Sequence, residues 1–409
     1  MSYTIRFEAD TFVPFICGYA QSRTMRRVAL LIETSREFGR GLLRGVARYN
    51  QEHGQWLTYC RPHGLGDMSY SWLRGWQGDG ILARITDRRM AAAIAKLKVP
   101  IVNLRGRLAG LPFPYVGVDN EAIARIASEH LLSRGFRHFG FCGYRRRYSA
   151  DGDRRCDAFR ACIESAGFRA DVCAVSEPSY GQRELGSWKQ ELALIARWIR
   201  GLPKPVAVMA CTDDRGLQVL EACRMIGVAV PDEVAVLGVA NDECLCALSI
   251  PPMSSVDVNA EQIGYRAAAL LDELLDGRTP PEKVLIEPRS VICRRSTDVL
   301  AIEDKHVAAA IQYIREHISE QIYIGDITRH AHISRSALER RFKQALGRTV
   351  GQEIQRTRIA RAQQMLADNK LPIKQVADRA GFKTVQYMTR VFRTMLRQTP
   401  GAYRRAVQS

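Results

Sequence analysis

One helix-turn-helix pattern occurs twice in the last hundred residues, and this repeat restricts the fold more than any other feature. The copies run from Ile324 to Phe342 and from Ile373 to Phe392. In each, apolar residues at helical spacing precede a turn, and two apolar residues four apart follow it. The offset between the copies is 49 residues before the turn and 50 after it, so one turn carries an extra residue. The pattern predicts two helix-turn-helix motifs.

The second helix of each predicted motif has a polar, basic outer face. Arginine can read guanine and glutamine can read adenine in the major groove of DNA. The stretch from Val350 to Asn369 predicts a connecting helix of roughly 27 Å, close to the ~34 Å between successive major grooves. A bundle with a merely solvated basic face is the alternative, but the repetition favours DNA binding. The candidate DNA-binding residues are Arg335, Ser336, Glu339, Arg340, Lys343, Lys383, Thr384, Gln386, Tyr387 and Arg390.

This segment resembles the AraC family of transcription regulators. The resemblance covers both motifs and includes the turn Ala380-Gly381-Phe382 and the closing Thr399-Pro400-x-x-Tyr403. It implies an all-α DNA-binding domain, predicted here for residues 297–409. The resemblance also implies which side chains face bases, namely those of Ser336, Glu339, Arg340, Gln386 and Arg390.

The charge distribution supports a polyanionic partner for the same segment. The net charge is +17, and from Leu300 to Ser409 there are 20 Lys and Arg against 9 Asp and Glu, so 11 of the 17 charges lie there. The 11 cysteines are scattered without a Cys-x-x-Cys motif, which is typical of a reducing cytoplasm. Residues 1–25 lack the basic start of a signal peptide and are predicted to be a disordered extension, or to result from a start codon assigned too far upstream.

Residues 26–296 alternate buried apolar runs with amphipathic helices, which predicts doubly wound parallel sheets. The alternation restarts near Gly135, so we expect two similar α/β lobes. The chain is expected to cross between them near Gly135, Pro251 and Pro281. Ligands of such folds bind outside the carboxyl ends of the strands.

Polar side chains follow several predicted strands and form the candidate ligand site. Carboxylates accept hydrogen bonds from sugar hydroxyls and arginine donates them, so the set suits a polyhydroxylated ligand. Alternatively, strand-end Asp and Asn residues serve as helix caps and turn formers. The candidates are Glu33, Ser35, Arg36, Arg155, Asp213, Asn241 and Asp242.

Residues 26–296 resemble the LacI-type, periplasmic-binding-protein-like sensors. The resemblance includes Val116-Gly-Val-Asp-Asn120, Arg155-x-x-x-Phe159, the segment from Gly227 to Gly238, and Cys293-Arg-Arg-Ser-Thr297. It implies that Arg155, Asp213 and the residues after Gly238 line a sugar cleft. At Ala240 the family usually has Asp, so a ligand carboxylate is missing here.

A LacI-type sensor followed by an AraC-type domain resembles the bacterial regulators of xylose operons. The resemblance implies a cytoplasmic transcription regulator, an activator whose effector is xylose or a related pentose or polyol. A homodimer on operator DNA is expected, with RNA polymerase as a further partner. The sequence leaves the sugar, the operator and the choice between activation and repression open.

The alternative function is a solute-binding protein or a carbohydrate-active enzyme. The only adjacent acids in the predicted cleft, Asp213/Asp214 and Asp242/Glu243, suit binding better than catalysis. Gly39-x-Gly41-x-x-x-Gly45 follows the first strand, but its spacing differs from that of a dinucleotide-binding loop. His330 and His332 have no further ligand nearby for a metal. No cofactor, metal or catalytic residue is therefore expected.

Overall fold

The computed structural model describes residues 25–54, 56–64, 73, 75–175, 185–299, 301–302, 304–368 and 371–408. The predicted N-terminal extension lies outside the described residues, except for Met25. Every cysteine in the described ranges is a free thiol. None of the helices described is both long and apolar enough to span a membrane.

The elements alternate between strands and helices up to residue 292 and are helical afterwards. The strands are β1 Arg26–Leu31, β2 Trp56–Cys60, β3 Gly80–Ala83, β4 Ile101–Asn103, β5 Tyr115–Val118, β6 His138–Tyr144, β7 Ala170–Val175, β8 Val206–Ala210, β9 Val234–Val239, β10 Ser254–Asp257, β11 Lys283–Ile286 and β12 Ser290–Ile292. The helices of this part are α1 Glu37–His53, α2 Arg88–Ala95, α3 Asn120–Leu132, α4 Ala150–Ser165, α5 Leu185–Gly201, α6 Asp213–Met225, α7 Glu243–Leu248 and α8 Ala260–Leu275. The remaining helices are α9 Lys305–Glu316, α10 Ile324–His330, α11 Arg335–Leu346, α12 Val350–Asp368, α13 Ile373–Arg379, α14 Val385–Leu396 and α15 Pro400–Gln408.

The strands form two six-stranded sheets, one in each lobe. The order is β11-β5-β4-β3-β1-β2 in lobe 1 and β12-β10-β9-β8-β6-β7 in lobe 2. All pairs are parallel except β10 with β12. Strands β8 and β9 are buried along their whole length, which explains their continuous apolar runs. The α/β prediction for this part is therefore confirmed.

The chain crosses between the lobes at three adjacent places. They are Asp119 between β5 and α3, residues 258–259 between β10 and α8, and residues 287–289 between β11 and β12. The Asp119 N–H donates to the Ile286 carbonyl at 2.9 Å, and the Arg289 N–H donates to the Asp257 carbonyl at 2.9 Å. The predicted crossings were wrong, because Gly135, Pro251 and Pro281 each lie in a connection between two elements of the same lobe.

Helices α1 and α8 cover lobe 1 and touch each other at glycines. A Cβ atom on Gly45 would lie 1.9 Å from the Glu261 carbonyl oxygen, and one on Gly264 would lie 2.0 Å from that of Leu42. On Gly41 it would lie 2.7 Å from the Cβ of Ala260. Gly41 and Gly45 of the glycine pattern after β1 therefore allow two helix backbones to pack closely.

The C-terminal domain contains both predicted motifs, as α10–α11 and α13–α14. Ser334 and Thr384 cap the second helices by accepting hydrogen bonds from the backbone N–H groups of Ala337 and Tyr387. The turns place His332 and Gly381 in left-handed conformations, with φ of 49° and 83°. In the second motif the turn is one residue longer, as the change in offset predicts.

Each motif has a hydrophobic core of its own. Leu338 and Phe342 pack with α9 in the first core, whereas Met388 and Phe392 pack with the second half of α12 in the other. Helix α12 contributes Val350 to the first core and Ile359 to the second. It is the connecting helix that the sequence predicts.

Candidate functional site

A cavity of about 190 Å³ lies between the lobes, at the carboxyl ends of their strands. Both lobes contribute charged groups to its wall, and tyrosines add aromatic surface. The charged and aromatic lining residues are Glu33, Arg36, Phe38, Arg84, Arg105, Arg107, Tyr115, Tyr144, Tyr148, Asp151, Arg155, Asp213, Asp214 and Asp242. This composition provides many hydrogen-bond donors and acceptors around one ligand.

Five of the seven predicted ligand residues line this cavity: Glu33, Arg36, Arg155, Asp213 and Asp242. The other two, Ser35 and Asn241, are not among its lining residues. The Asn241 side-chain oxygen accepts a hydrogen bond from Arg294 Nη2 at 2.9 Å.

Arg155 and Asp213 are buried groups on the lobe 2 side. Arg155 Nε donates to Asn120 Oδ1 at 3.0 Å, and Arg155 Nη1 donates to the Cys211 carbonyl. Asp213 accepts hydrogen bonds from Ser255 Oγ at 2.5 Å and from the Asp242 N–H at 2.7 Å. These contacts fix both side chains before a ligand arrives.

Burial raises the pKa of Asp213 to about 6, although its hydrogen bonds from Ser255 and from the backbone of Asp242 act in the opposite direction. A Cβ atom at position 238 would lie 2.2 Å from Asp213 Oδ1, so Gly238 makes room for this carboxylate. At neutral pH the cavity therefore contains a fixed, mostly ionised acceptor.

Glu33 is the buried carboxylate on the lobe 1 side. It is fully buried and forms an ion pair with Arg84. Apart from that pair, neither carboxylate oxygen has a hydrogen-bond donor among the described residues. An incompletely satisfied buried carboxylate is costly, and ligand hydroxyls could complete its hydrogen bonding.

Contacts also cross the cavity between the lobes. Arg36 pairs with Asp214 at 2.7 Å, and the Glu37 N–H donates to Asp242 Oδ2 at 3.2 Å. Arg36 and Glu37 follow β1, whereas Asp214 and Asp242 belong to lobe 2. These contacts join the lobes across the cleft.

Sequence reasoning missed several lining residues. Arg84 directly follows β3, and Arg105 lies two residues after the end of β4. The rule that ligands bind at strand ends could therefore have found both. Tyr148 lies in the loop between β6 and α4, and no sequence pattern identifies it as a ligand-binding residue. Its ring contacts Tyr144, with centroids 5.1 Å apart, and Arg107 lies over it at 4.3 Å.

Ala240 lines the cavity in an uncommon backbone conformation. Its φ is 115°, and the next residue, Asn241, has a φ of 51°. Alanine rarely adopts a positive φ, and such strain often occurs at functional sites.

We expect Ala240→Gly to stabilise the protein by about 1 kcal/mol, because glycine adopts this conformation with less strain. Urea unfolding of the full chain measures the change. Ala240→Val is the opposite control and should destabilise, since a β-branched side chain increases the strain. A glycine variant less stable than the natural protein would contradict this prediction.

The ten predicted DNA-binding residues lie on or just before α11 and α14. All are exposed except Glu339 and Tyr387, which are half-buried. Lys383 and Thr384 precede α14, and the Thr384 hydroxyl accepts the capping hydrogen bond from the Tyr387 N–H at 3.1 Å. The Tyr387 hydroxyl accepts from Gln355 Nε2 at 3.0 Å, and Arg390 lies over the Tyr387 ring at 5.2 Å. Tyr387 thus supports the position of Arg390.

No group of His, Cys, Asp and Glu suited to a metal is present in the described part of the chain. The His330-Ala-His332 pair lies in the first motif, where the His330 ring contacts Tyr313 with centroids 5.1 Å apart.

Three protein-family profiles match successive parts of the chain. They are an XylR N-terminal domain at residues 27–121, a periplasmic binding protein-like domain at 128–297 and a helix-turn-helix domain at 327–406.

Two xylose operon regulatory proteins match over nearly the whole length, and a further regulator matches over two thirds of it. The xylose operon regulatory protein of Escherichia coli (strain K12) is 31% identical over 388 residues, covering 92% of this chain and 96% of the relative. The protein of that name from Haemophilus influenzae is 29% identical, covering 92% and 98%. A transcriptional regulator of Thermobifida fusca, CelR, is 27% identical over 67% of this chain and 85% of the relative.

Solved structures agree with these matches. The structure of the xylose-binding transcription activator XylR superposes with a TM-score of 0.60 at 30% identity, covering 94% of this chain and 98% of that one. A CelR–cellobiose complex superposes with a TM-score of 0.53 at 26% identity, covering 68% and 86%. The chain therefore belongs to the family of the xylose operon regulatory proteins.

Proposed function

We propose that the chain activates a catabolic operon in response to xylose or a related pentose or polyol bound in the cleft between the lobes. It is a sugar-sensing transcription regulator of its family and not an enzyme. The observation that supports the effector most is the pair of buried carboxylates, Glu33 and Asp213, on opposite sides of one cavity. The full-length match to xylose regulators supports the same effector.

The cleft offers a sugar complementary partners on both lobes. Asp213 and Arg155 belong to lobe 2, whereas Glu33, Arg36 and Arg84 belong to lobe 1. Carboxylates would accept hydrogen bonds from hydroxyls and guanidinium groups would donate to ring or hydroxyl oxygens. A sugar held from both sides favours one lobe arrangement, and only this difference in affinity can shift the protein between two states.

The proposed domains are a sensor over residues 26–296 and a DNA-binding domain over 297–409. A homodimer in the cytoplasm would present two pairs of motifs to repeated operator half-sites and could contact RNA polymerase. The exposed side chains of Leu248 and Ile250, two residues apart on lobe 2, support self-association, since exposed apolar patches often mark protein interfaces.

The test is a thermal-shift panel of pentoses, hexoses and polyols on the full chain, followed by operator binding with each sugar that binds. Saturation at 100 times Kd adds about 2.7 kcal/mol to the free energy of unfolding. Stabilisation by xylose together with a change in operator affinity is the expected result. If only a hexose gives both effects, the effector assignment is wrong and the regulatory mechanism stands. If no sugar stabilises the chain, the cleft is not a sugar site.

Base reading by the second helices is tested by Arg340→Ala and Arg390→Ala. Each variant should lose about 1–3 kcal/mol of operator affinity and lose discrimination at one base pair. Binding measured against operators with single base changes gives both quantities. The matched control is Arg405→Ala, an exposed arginine on α15. Uniform weakening across all operators, with a shallower salt dependence, would indicate phosphate contacts instead.

A further inference from the structure

The sensor and the DNA-binding domain meet at one end of α3. Arg356 Nη2 donates to the Glu129 carbonyl at 2.9 Å, and Arg348 Nη2 donates to the Ser133 carbonyl at 3.1 Å. These carbonyls belong to the last turn and the C-cap of α3. The Glu129 carbonyl also accepts from the Ser133 N–H at 3.0 Å, so Arg356 is a second donor to it. Arginines are also favourable at this negative end of the helix dipole.

Arg348 connects α3 to two helices of the DNA-binding domain. Besides Ser133, it donates to the Leu346 carbonyl at the end of α11 and forms an ion pair with the buried Glu353 of α12. Helix α11 is the second helix of the first motif, and α12 joins both motifs. A displacement of the α3 end therefore reaches both motifs through short contacts.

Further groups hold this end of α3 in place. Arg134 Nε donates to the Thr297 carbonyl at 2.6 Å, and His130 Nε2 lies 2.9 Å from Thr297 Oγ1. Burial and then neighbouring arginines hold the pKa of His130 well below its usual range, so His130 stays neutral at physiological pH. These contacts tie the end of α3 to Thr297, and His130 adds no charge there.

The opposite end of α3 lies at the ligand cavity. Asn120, its first residue, donates to Asp151 Oδ1 at 3.1 Å and accepts from Arg155 Nε at 3.0 Å. Asp151 and Arg155 both line the cavity. Between the ends, α3 buries Ile123, Ala127 and Leu131, so it can move only as one body with lobe 2.

We infer that α3 carries the sugar signal from the cleft to the DNA-binding domain, with Arg348 and Arg356 as the positioning residues that clamp its end. This inference rests on the proposed function. A ligand that joins Arg155 or Asp151 to the lobe 1 wall of the cavity changes the position of lobe 2 relative to lobe 1, and α3 moves with lobe 2. Through the contacts of Arg348 and Arg356, this movement changes the orientation of α12. Because α12 joins both motifs, their positions on DNA change with it.

Arg356→Ala tests the clamp, because Arg356 contacts the sensor without the intradomain contacts of Arg348. Sugar binding, here of D-xylose or of whichever panel sugar binds, is measured with and without operator DNA, and operator binding with and without sugar. Linkage requires both couplings to be equal, and values of about 5- to 150-fold are typical. The variant should bind both ligands while each coupling falls to roughly twofold or less.

Arg358→Ala is the matched control. It lies two residues further along α12 and donates to the Glu320 carbonyl at 2.8 Å within the DNA-binding domain. This variant should keep the natural coupling, and Arg356→Lys, which retains a donor for the carbonyl, should recover most of it. Equal coupling in Arg356→Ala and the natural protein overturns the inference, as does equal loss in Arg358→Ala.

Hydrogen exchange on the natural full chain gives a second, variant-free readout. Sugar should change amide protection around residues 129–134 and at the start of α12, and unchanged protection at both places overturns the inference. If the natural protein binds sugar but shows no coupling to DNA, the proposed regulatory function fails. The inference alone fails when the natural coupling is present and survives in Arg356→Ala.

Discussion

Asp213→Asn is expected to weaken sugar binding at pH 7.5 by about 10- to 150-fold, because a hydrogen bond to a charged group contributes about 1.5–3 kcal/mol. Asparagine keeps one acceptor oxygen but presents an amide where the carboxylate accepts from the Asp242 N–H. The variant thus loses charge and acceptors at once. Titration calorimetry on the full chain measures the change.

The same variant should remove a pH dependence. Because the pKa of Asp213 is about 6 in the folded protein, sugar affinity should fall as the pH drops through 6. Folding responds in the opposite sense: the raised pKa favours the protonated folded state, so Asp213 contributes less stability as pH rises from its unfolded pKa through 6. Because asparagine does not titrate, Asp213→Asn should lose both this pH dependence of sugar affinity and this pH dependence of stability.

Asp232→Asn serves as the control for Asp213→Asn, since Asp232 is exposed and does not line the cavity. It should bind sugar as the natural protein does. Full sugar affinity in a folded Asp213→Asn protein would remove Asp213 from the ligand site. Unchanged far-UV and near-UV circular dichroism establishes that the variant is folded.

Gly45→Ala is expected to destabilise the sensor by about 3 kcal/mol, because overpacking a close contact costs about 1–3 kcal/mol and backbone atoms cannot move aside easily. The added Cβ would meet the Glu261 carbonyl at 1.9 Å and the Tyr265 nitrogen at 2.6 Å. Helices α1 and α8 would have to move apart. The loop before α1, which carries Glu33 and Arg36, would be displaced with α1. Urea unfolding of the full chain reports the loss.

Gly351→Ala is the matched control in helix α12. Its nearest contact is Thr349 Oγ1 at 4.0 Å, so the added methyl group has space. Alanine favours helices over glycine, and this variant should be more stable by about 0.5–1 kcal/mol. Equal effects of the two substitutions would show that helix propensity, and not the contact between α1 and α8, governs position 45.

The helical domain could be predicted well because its signals are local. Apolar spacing, the caps Ser334 and Thr384 and the change of offset at the turn all lie within a few residues of the feature that they determine. The two α/β lobes were also predictable from alternating runs. The crossings were not, since Asp119 and residues 258–259 and 287–289 carry no turn signal distinct from those within a lobe.

The candidate site was predictable only where strand order determines position. Glu33, Arg155 and Asp213 follow from the rule that ligands bind at strand ends. Asn241 does not line the cavity, because its side chain accepts a hydrogen bond from Arg294, more than fifty residues away. Similarly, only the packing of α8 on α1 explains Gly41 and Gly45, and no local pattern indicates that Arg348 contacts α3.

The separate hydrophobic cores of the two motifs have a consequence for how DNA is held. Because α12 contributes to both cores, the two motifs are joined by one helix and each can serve as a module that contacts its own stretch of DNA. Once one module is bound, the other experiences a high effective concentration of its site, and avidity can exceed either affinity by about 10²–10⁴-fold. A weak match in half of an operator is then tolerated, so binding at natural sites depends on the spacing of the two halves as much as on their base sequence.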